Sequence, residues 1–369
     1  MADVIVSGHL CLDLIPRMEH VPLGVLGAPG RLSEVGALDF ATGGAVSNTG
    51  LALHRLGVNV RLMATVGEDL IGQVITRILE DRDPALTQLI TVASGQPGSY
   101  TIVLSPQRVD RIFLHCTGTN SVFGVANIDF SLLAGAKIFH LGYPPLLPRL
   151  MADDGAELQA IYQQAQAAGV VTSLDMTLPD PNGLSGQANW VEILRRTLPH
   201  TDIFLPSIEE ILFMLRRTEY MAWRDNLRPQ LTAEYLRAVA DELLSMGVAI
   251  AGFKLGDLGL YLKTAGADRL RQLAPLNLPV EAWADRELYT PAYEVAVAGT
   301  TGAGDSAYAG FLAALLRGMT PDEASQWACA VGACNVEAAD AASGIRTWEA
   351  TSARMRAGWP TRQARPPGF

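Results

Sequence analysis

With 369 residues, 49% of them hydrophobic and 18% charged, the chain can bury a substantial core as one large domain or two smaller ones. Its formal charge of −10 argues against a general binder of nucleic acid or lipid surfaces, because phosphate-tracking proteins are usually basic. The four cysteines (Cys11, Cys116, Cys329, Cys334) show neither Cys-x-x-Cys spacing nor disulfide density, and the six histidines show no spacing typical of zinc sites.

In chain order, Val4 to Ser7 reads as a strand ending at Gly8. The start lacks a basic n-region, Asp3 and Asp13 bracket its apolar run, and no apolar run is long enough to span a bilayer. A reduced, cytoplasmic protein without membrane attachment is therefore expected. Residues 14–40 carry glycines and prolines with little helical period. Asn48 to Leu56 predicts a helix stopped by Gly57, followed by a strand over Val58 to Val66 and an amphipathic helix over Asp69 to Leu79. Residues 96–115 alternate again, in Ser99 to Leu104 and Arg111 to Leu114. Segments 14–40 and 96–115 together predict a small β-sheet serving as a lid, or else a pair of surface hairpins.

Lys137 to Leu141, Val170 to Asp175, Asp202 to Leu205 and Val248 to Lys254 have the composition of buried strands. Helical stretches at Glu157 to Ala168, Glu209 to Arg216 and Ala233 to Ser245 lie between them. Such alternation predicts an α/β fold with a mainly parallel sheet and helices on both faces, the lid segments being inserted in a single domain over 1–369. Residues 264–292 read as an irregular excursion. Cys329 and Cys334 fall in an Ala-rich helical run and read as packing residues.

The most informative stretch is Gly299-Thr-Thr-Gly-Ala-Gly-Asp-Ser-Ala-Tyr-Ala-Gly-Phe311, between a predicted strand at Tyr293 to Val297 and an apolar helix at Ala307 to Leu316. A turn through Gly302, Ala303 and Gly304 into a helix start leaves backbone N–H groups for phosphate or a developing oxyanion. Asp305 adds a carboxylate beside that anion site. A carboxylate repels a resting phosphate, and its simplest use there is proton abstraction from a hydroxyl that attacks a phosphoryl group. A helix entry in which Asp305 merely favours the dipole end is the structural alternative. A dinucleotide-binding turn is a weaker one. The acids about 20 residues on, Asp322-Glu323, follow Thr320-Pro321 in a capping box and so open a helix rather than end a strand.

A second glycine signal, Thr42-Gly43-Gly44-Ala45-Val46-Ser47-Asn48, precedes the first predicted helix. The paired glycines permit close backbone approach to a ligand, and Asn48 both donates and accepts hydrogen bonds to hydroxyls. Followed by Leu56-Gly57 and Ala64 to Gly72, this segment resembles the N-terminal signature of the ribokinase (PfkB) family of carbohydrate and nucleoside kinases. Gly302-Ala-Gly-Asp305 resembles that family's C-terminal signature, in the right order. Gly8-x-x-x-x-Asp13, Arg111-Ile-Phe-Leu and Lys254-Leu-Gly256-x-x-Gly259 extend the likeness over roughly residues 3–345.

The resemblance implies a ribokinase-like α/β fold with a β-lid, MgATP as donor, and phosphorylation of a hydroxymethyl group on a sugar-like substrate. It makes Asp305 the catalytic base and Gly302, Ala303 and Gly304 the anion hole. Asp13, Gly43, Gly44, Asn48 and Arg111 become substrate-side positions. Lys254, Gly256, Gly259 and Thr301 fall on the nucleotide side, and Glu210 helps to organise magnesium. A homodimer through the lid is a further expectation. Three positions depart from the family pattern. Gly299 stands where an acid commonly helps to bind a monovalent cation, leaving potassium activation open. Ser207 replaces the Asn of Asn-x-x-Glu, and Asp175-Met-Thr177-Leu-Pro179 replaces Asp-x-Asn-x-Arg. A nucleoside kinase and a catalytically silent sugar- or nucleotide-binding regulator remain as alternatives.

Overall fold

The structure is a computed structural model that describes residues 2–18, 20–27, 29–107 and 112–369. Among these residues the strands are β1 (Val4–Gly8), β2 (Cys11–Pro16), β3 (Leu38–Gly43), β4 (Val60–Gly67), β5 (Leu89–Ala93), β6 (Tyr100–Leu104), β7 (Ile112–Cys116), β8 (Ile138–Gly142), β9 (Val171–Asp175), β10 (Ile203–Phe204), β11 (Ile250–Lys254), β12 (Leu260–Thr264) and β13 (Glu287–Thr290). A nine-stranded sheet has the order β13-β12-β11-β10-β9-β8-β1-β4-β5. Every pairing from β11 to β5 is parallel, and β12 and β13 add antiparallel pairs at one edge. A separate four-stranded sheet, β3-β2-β6-β7, is built from the two segments expected to form a lid. The α/β architecture expected from the sequence is therefore present.

Parallel strands buried on both faces need apolar side chains in both directions. In β1, Val4 and Val6 enter one core while Ile5 enters the other. The first core packs helices Ala45–Arg55, Ala303–Leu315 and Pro321–Asn335; the second packs Ala156–Ala167, Ile208–Leu215 and Ala233–Ser245. Helix Ala303–Leu315 is buried from Tyr308 to Leu315, so its N-terminus is held with little freedom. The capping box on the helix Pro321–Asn335 forms as expected, Thr320 accepting from the Glu323 N–H and Glu323 from the Thr320 N–H.

Three expectations need correction. Tyr293 to Val297 is not a ladder strand: Tyr293 makes one isolated bridge, to Thr361, and the chain otherwise runs along a cleft. Residues 264–292 are not wholly irregular, since they contain β13, paired with β12, and short helices at Ala267–Leu270 and Val280–Trp283. The apolar helix also begins earlier than Ala307, at Ala303.

Strand order reverses between β1 and β8: β4 and β5 lie to one side of β1, and β8 to β11 to the other. In open parallel sheets such a reversal leaves a crevice at the carboxyl ends of the strands, where ligands bind. Gly8, Gly142, Asp175 and Lys254 end four of these strands at that edge.

Candidate functional site

At this edge Thr300-Thr301-Gly302-Ala303 forms a turn closed by the Ala303 N–H donating to the Thr300 carbonyl at 3.3 Å. Gly302, with φ 71° and ψ 5°, occupies the left-handed third position of a type II turn and becomes the N-cap of helix Ala303–Leu315. A side chain there would be strained and would meet Ala341. The turn spends the Ala303 N–H on Thr300. The first-turn amides of Gly304 and Asp305 have no intrahelical acceptor and carry the positive end of the helix dipole.

Asp305, one turn into the helix, is 1% exposed. Asn48 Nδ2 donates to its Oδ2 at 2.9 Å, and the Thr49 hydroxyl lies 3.5 Å from its Oδ1. Both donors come from helix Ala45–Arg55, whose N-cap is Gly44. The Tyr143 hydroxyl donates to both Asp305 oxygens, at 2.8 and 2.7 Å. Tyr143 follows β8 with φ 65° and ψ 48°, an uncommon setting for a bulky residue. Burial, with Asp305 and Asp175 nearby, pushes its phenol well above the usual range. No sequence signal singled out Tyr143.

Lys254 ends β11 and donates to Asp175 Oδ1 at 2.6 Å, the two side chains being 12% and 1% exposed. A Cβ placed on Gly304 would lie 3.3 Å from Lys254 Nζ, so the ammonium sits over the helix's first turn. Burial alone would lower the Lys254 pKa, but Asp175 and Glu210 overcome it and hold it above the usual range. Glu210 is the third residue of helix Ile208–Leu215 and forms a capping box with Ser207, accepting from its N–H at 2.7 Å. Burial raises both Glu210 and Asp175, the nearby ammonium opposing the rise. Asp175 Oδ2 is buried and has no partner among the described residues.

These groups border a cleft of about 460 Å³. Its polar end is formed by Tyr143, Lys254, Glu209, Glu210 and Gly302 to Asp305, and its apolar end by Val295, Val297, Ala328, Ala333 and Val336. Gly256 and Gly259, in the turn between β11 and β12, line it too. Thr301 does not, although its neighbours Thr300 and Gly302 do; its hydroxyl is buried without a partner among the described residues. Gly299 carries no carboxylate and is pressed against the Ala338 and Ala339 carbonyls, 3.0 and 2.8 Å from where its Cβ would stand.

Asn48 leads from this cleft toward the small sheet. Asp13 on β2 lies so close to Gly43 on β3 that a Cβ at 43 would stand 2.4 Å from Asp13 Oδ2, which leaves glycine as the residue that fits. Burial pushes the Asp13 carboxyl up to about 6, against hydrogen bonds from Cys11 and Thr101. Gly44 abuts His9 in the same way. Arg111 lies outside the described residues. No helix among the described residues is long and apolar enough to cross a membrane.

Comparison with known proteins bears on the family and the fold. A 2-dehydro-3-deoxygluconokinase of Bacillus subtilis (strain 168) is 24% identical over 341 residues, covering 92% of this chain and 94% of the relative. A probable chloroplastic fructokinase-6 of Arabidopsis thaliana is 25% identical over 356 residues, covering 94% and 80%. The structure of Arabidopsis thaliana ribokinase complexed with ribose and ATP shares the fold, with a TM-score of 0.72 and 18% identity over 95% of this chain and 98% of that one. The family described as pfkB family carbohydrate kinase matches residues 1–348. With Asn48 of one glycine segment bonded to Asp305 of the other and a family match across nearly the whole length, the chain belongs to the pfkB family of carbohydrate kinases.

Proposed function

We propose that this kinase transfers the γ-phosphoryl group of ATP to a hydroxymethyl group of a sugar or sugar derivative, with Asp305 as the base. The observation that carries this reading is the convergence on one buried carboxylate of a helix N-terminus, the Lys254 ammonium and Asn48 of the Gly43-Gly44 segment. The apolar end of the cleft suits a nucleobase. The acceptor sugar lies on the Asp13, Gly43, Gly44 and Asn48 side, beneath the small sheet acting as a lid that excludes water. Leu38, Phe40 and Leu114 leave apolar area exposed on that sheet, which supports a homodimer formed through it.

Asp305 accepts the acceptor's hydroxyl proton as its oxygen attacks the phosphorus. Gly304 and Asp305 amides, with the Lys254 ammonium, stabilise charge gathering on the transferring oxygens. Asp13 orients the sugar by accepting from its hydroxyls. The orphan Asp175 Oδ2 and the Glu210 carboxyl are hard oxygen donors that fit magnesium, and these residues would hold it, directly or through water. When bound, the ion neutralises phosphate charge. At the position of the family's monovalent-cation acid, Gly299 supplies no ligand side chain, so no step is assigned to such an ion.

Measuring ADP release across hexoses, pentoses, sugar acids and nucleosides tests the reading; turnover only with nucleosides would overturn the assignment of a sugar acceptor. Asp13→Asn is expected to raise the acceptor KM by about 30- to 100-fold, the loss of one charged hydrogen bond, with little change in the ATP KM. An equal rise in both would remove Asp13 from the acceptor side. The Tyr143 hydroxyl occupies both oxygens of the base before an acceptor arrives, so water is denied the same lone pairs. Tyr143→Phe is accordingly expected to raise ATP hydrolysis without sugar by on the order of tenfold. Unchanged phosphate release would show that the contact does not restrain the base.

A further inference from the structure

His9, Cys11 and His115 offer three ligand atoms that all lie within 4.8 Å of one another. His9 leaves the end of β1, Cys11 opens β2, and His115 lies on β7, so the cluster joins the large sheet to the small one. None of the three has a part in the phosphoryl transfer described above. His9 is 2% exposed, and neither of its ring nitrogens has a hydrogen-bond partner among the described residues. Two orphaned nitrogens on a buried imidazole are costly, and such groups normally find a partner.

The neighbouring contacts resemble the support that metal-bound histidines receive. Thr101 Oγ1 lies 3.0 Å from His115 Nδ1, leaving Nε2 as the ligand, and 3.6 Å from Cys11 Sγ. The His9 and His115 rings stand 5.2 Å apart, tilted at 49° to each other. In a tetrahedral zinc site, ligand atoms are about 3.3–3.6 Å from each other, given bonds of about 2.0–2.3 Å. Closing the gap takes a shift of roughly an ångström, within the reach of side-chain rotation.

We propose that His9, Cys11 and His115 form a binding site for a zinc-class transition metal, with a fourth position open to water. Two imidazoles and a thiolate select such an ion over magnesium or calcium, which favour oxygen donors. Binding releases the Cys11 proton to solvent. It also ties β7 of the small sheet to the exit of β1 and replaces the 3.5 Å contact from Cys11 Sγ to Asp13 Oδ1. The filled site places a cation beside Asp13 and inhibits the kinase in competition with the acceptor. This inhibition rests on the functional reading above, whereas the metal site does not.

The test begins with Co2+ titrated into the chelator-treated full-length protein, without sugar or nucleotide. One equivalent should bind with a thiolate-to-cobalt charge-transfer band. Cys11→Ser should abolish the band, and His115→Gln should weaken binding at least tenfold, with circular dichroism confirming that both variants fold. Absence of the band, or its persistence in Cys11→Ser, would overturn the site. Zn2+ should then raise the acceptor KM of the wild type reversibly and leave His115→Gln much less affected. Equal zinc inhibition of both proteins, or binding without inhibition, would overturn the regulatory role while leaving the kinase assignment intact.

Discussion

Replacing Asp305 by Asn is expected to lower kcat by a factor of ~10²–10⁴, the usual cost of removing a positioned general base. The replacement keeps the volume of a side chain that is 1% exposed, so no cavity forms. The hydrogen bonds change more. Asn48 Nδ2 and the Tyr143 hydroxyl both donate to the carboxylate, whereas an amide presents one oxygen and one NH2 group. One donor is then left facing a donor, a cost of about 1–3 kcal/mol in stability. ATP should still bind, because the apolar end of the cleft is untouched. Single-turnover phosphorylation and calorimetric ATP binding separate these effects, and turnover within tenfold of wild type would exclude Asp305 as the base.

Lys254→Met should be nearly as damaging, by a different route. Loss of one preorganised charge aimed at a transferring group commonly costs about 10²–10³ in kcat. The same change strands Asp175, which is 1% exposed and loses its only ion-pair partner among the described residues. Breaking a buried pair from one side destabilises by about 3–5 kcal/mol. The double variant Lys254→Met/Asp175→Asn removes the stranded charge and should recover most of the lost denaturation midpoint. It should not recover turnover. Restored activity in the double variant would mean that Lys254 serves the fold rather than the phosphoryl group.

The elements legible in the sequence were those whose local chemistry and tertiary role coincide. Helix Ala233–Ser245 has the bounds expected, because Thr232 caps it and Gly247 follows it. β1, β8 and β11 are short, mostly apolar runs, as expected of strands covered on both faces, and β9 is equally buried although Thr172, Ser173 and Asp175 are polar. Misreadings fall where a distant partner decides. Tyr293 to Val297 alternates like a strand, but Val295 and Val297 are turned to the cleft and no ladder forms. β13 lies in a stretch rich in breakers and exists because β12 offers an edge.

The same division holds at the site. Gly43, Gly44 and Gly302 to Asp305 announce themselves, since turns and close approaches admit few residues. Tyr143 does not, because its left-handed backbone and its aim at Asp305 come from the path of the chain after β8. The cluster of His9, Cys11 and His115 is equally silent in one dimension. Only the pairing of β6 with both β2 and β7 brings its members together.

Gly299 leaves no room for a side chain. A Cβ added there would stand 2.8 Å from the Ala339 carbonyl oxygen, closer than real Cβ atoms come, and 3.0 Å from that of Ala338. Introducing an acid there would press on the 338–341 segment, and with it on Ala341, which backs the turn at Gly302. An acidic side chain at 299 therefore requires the neighbouring loop to be remodelled first.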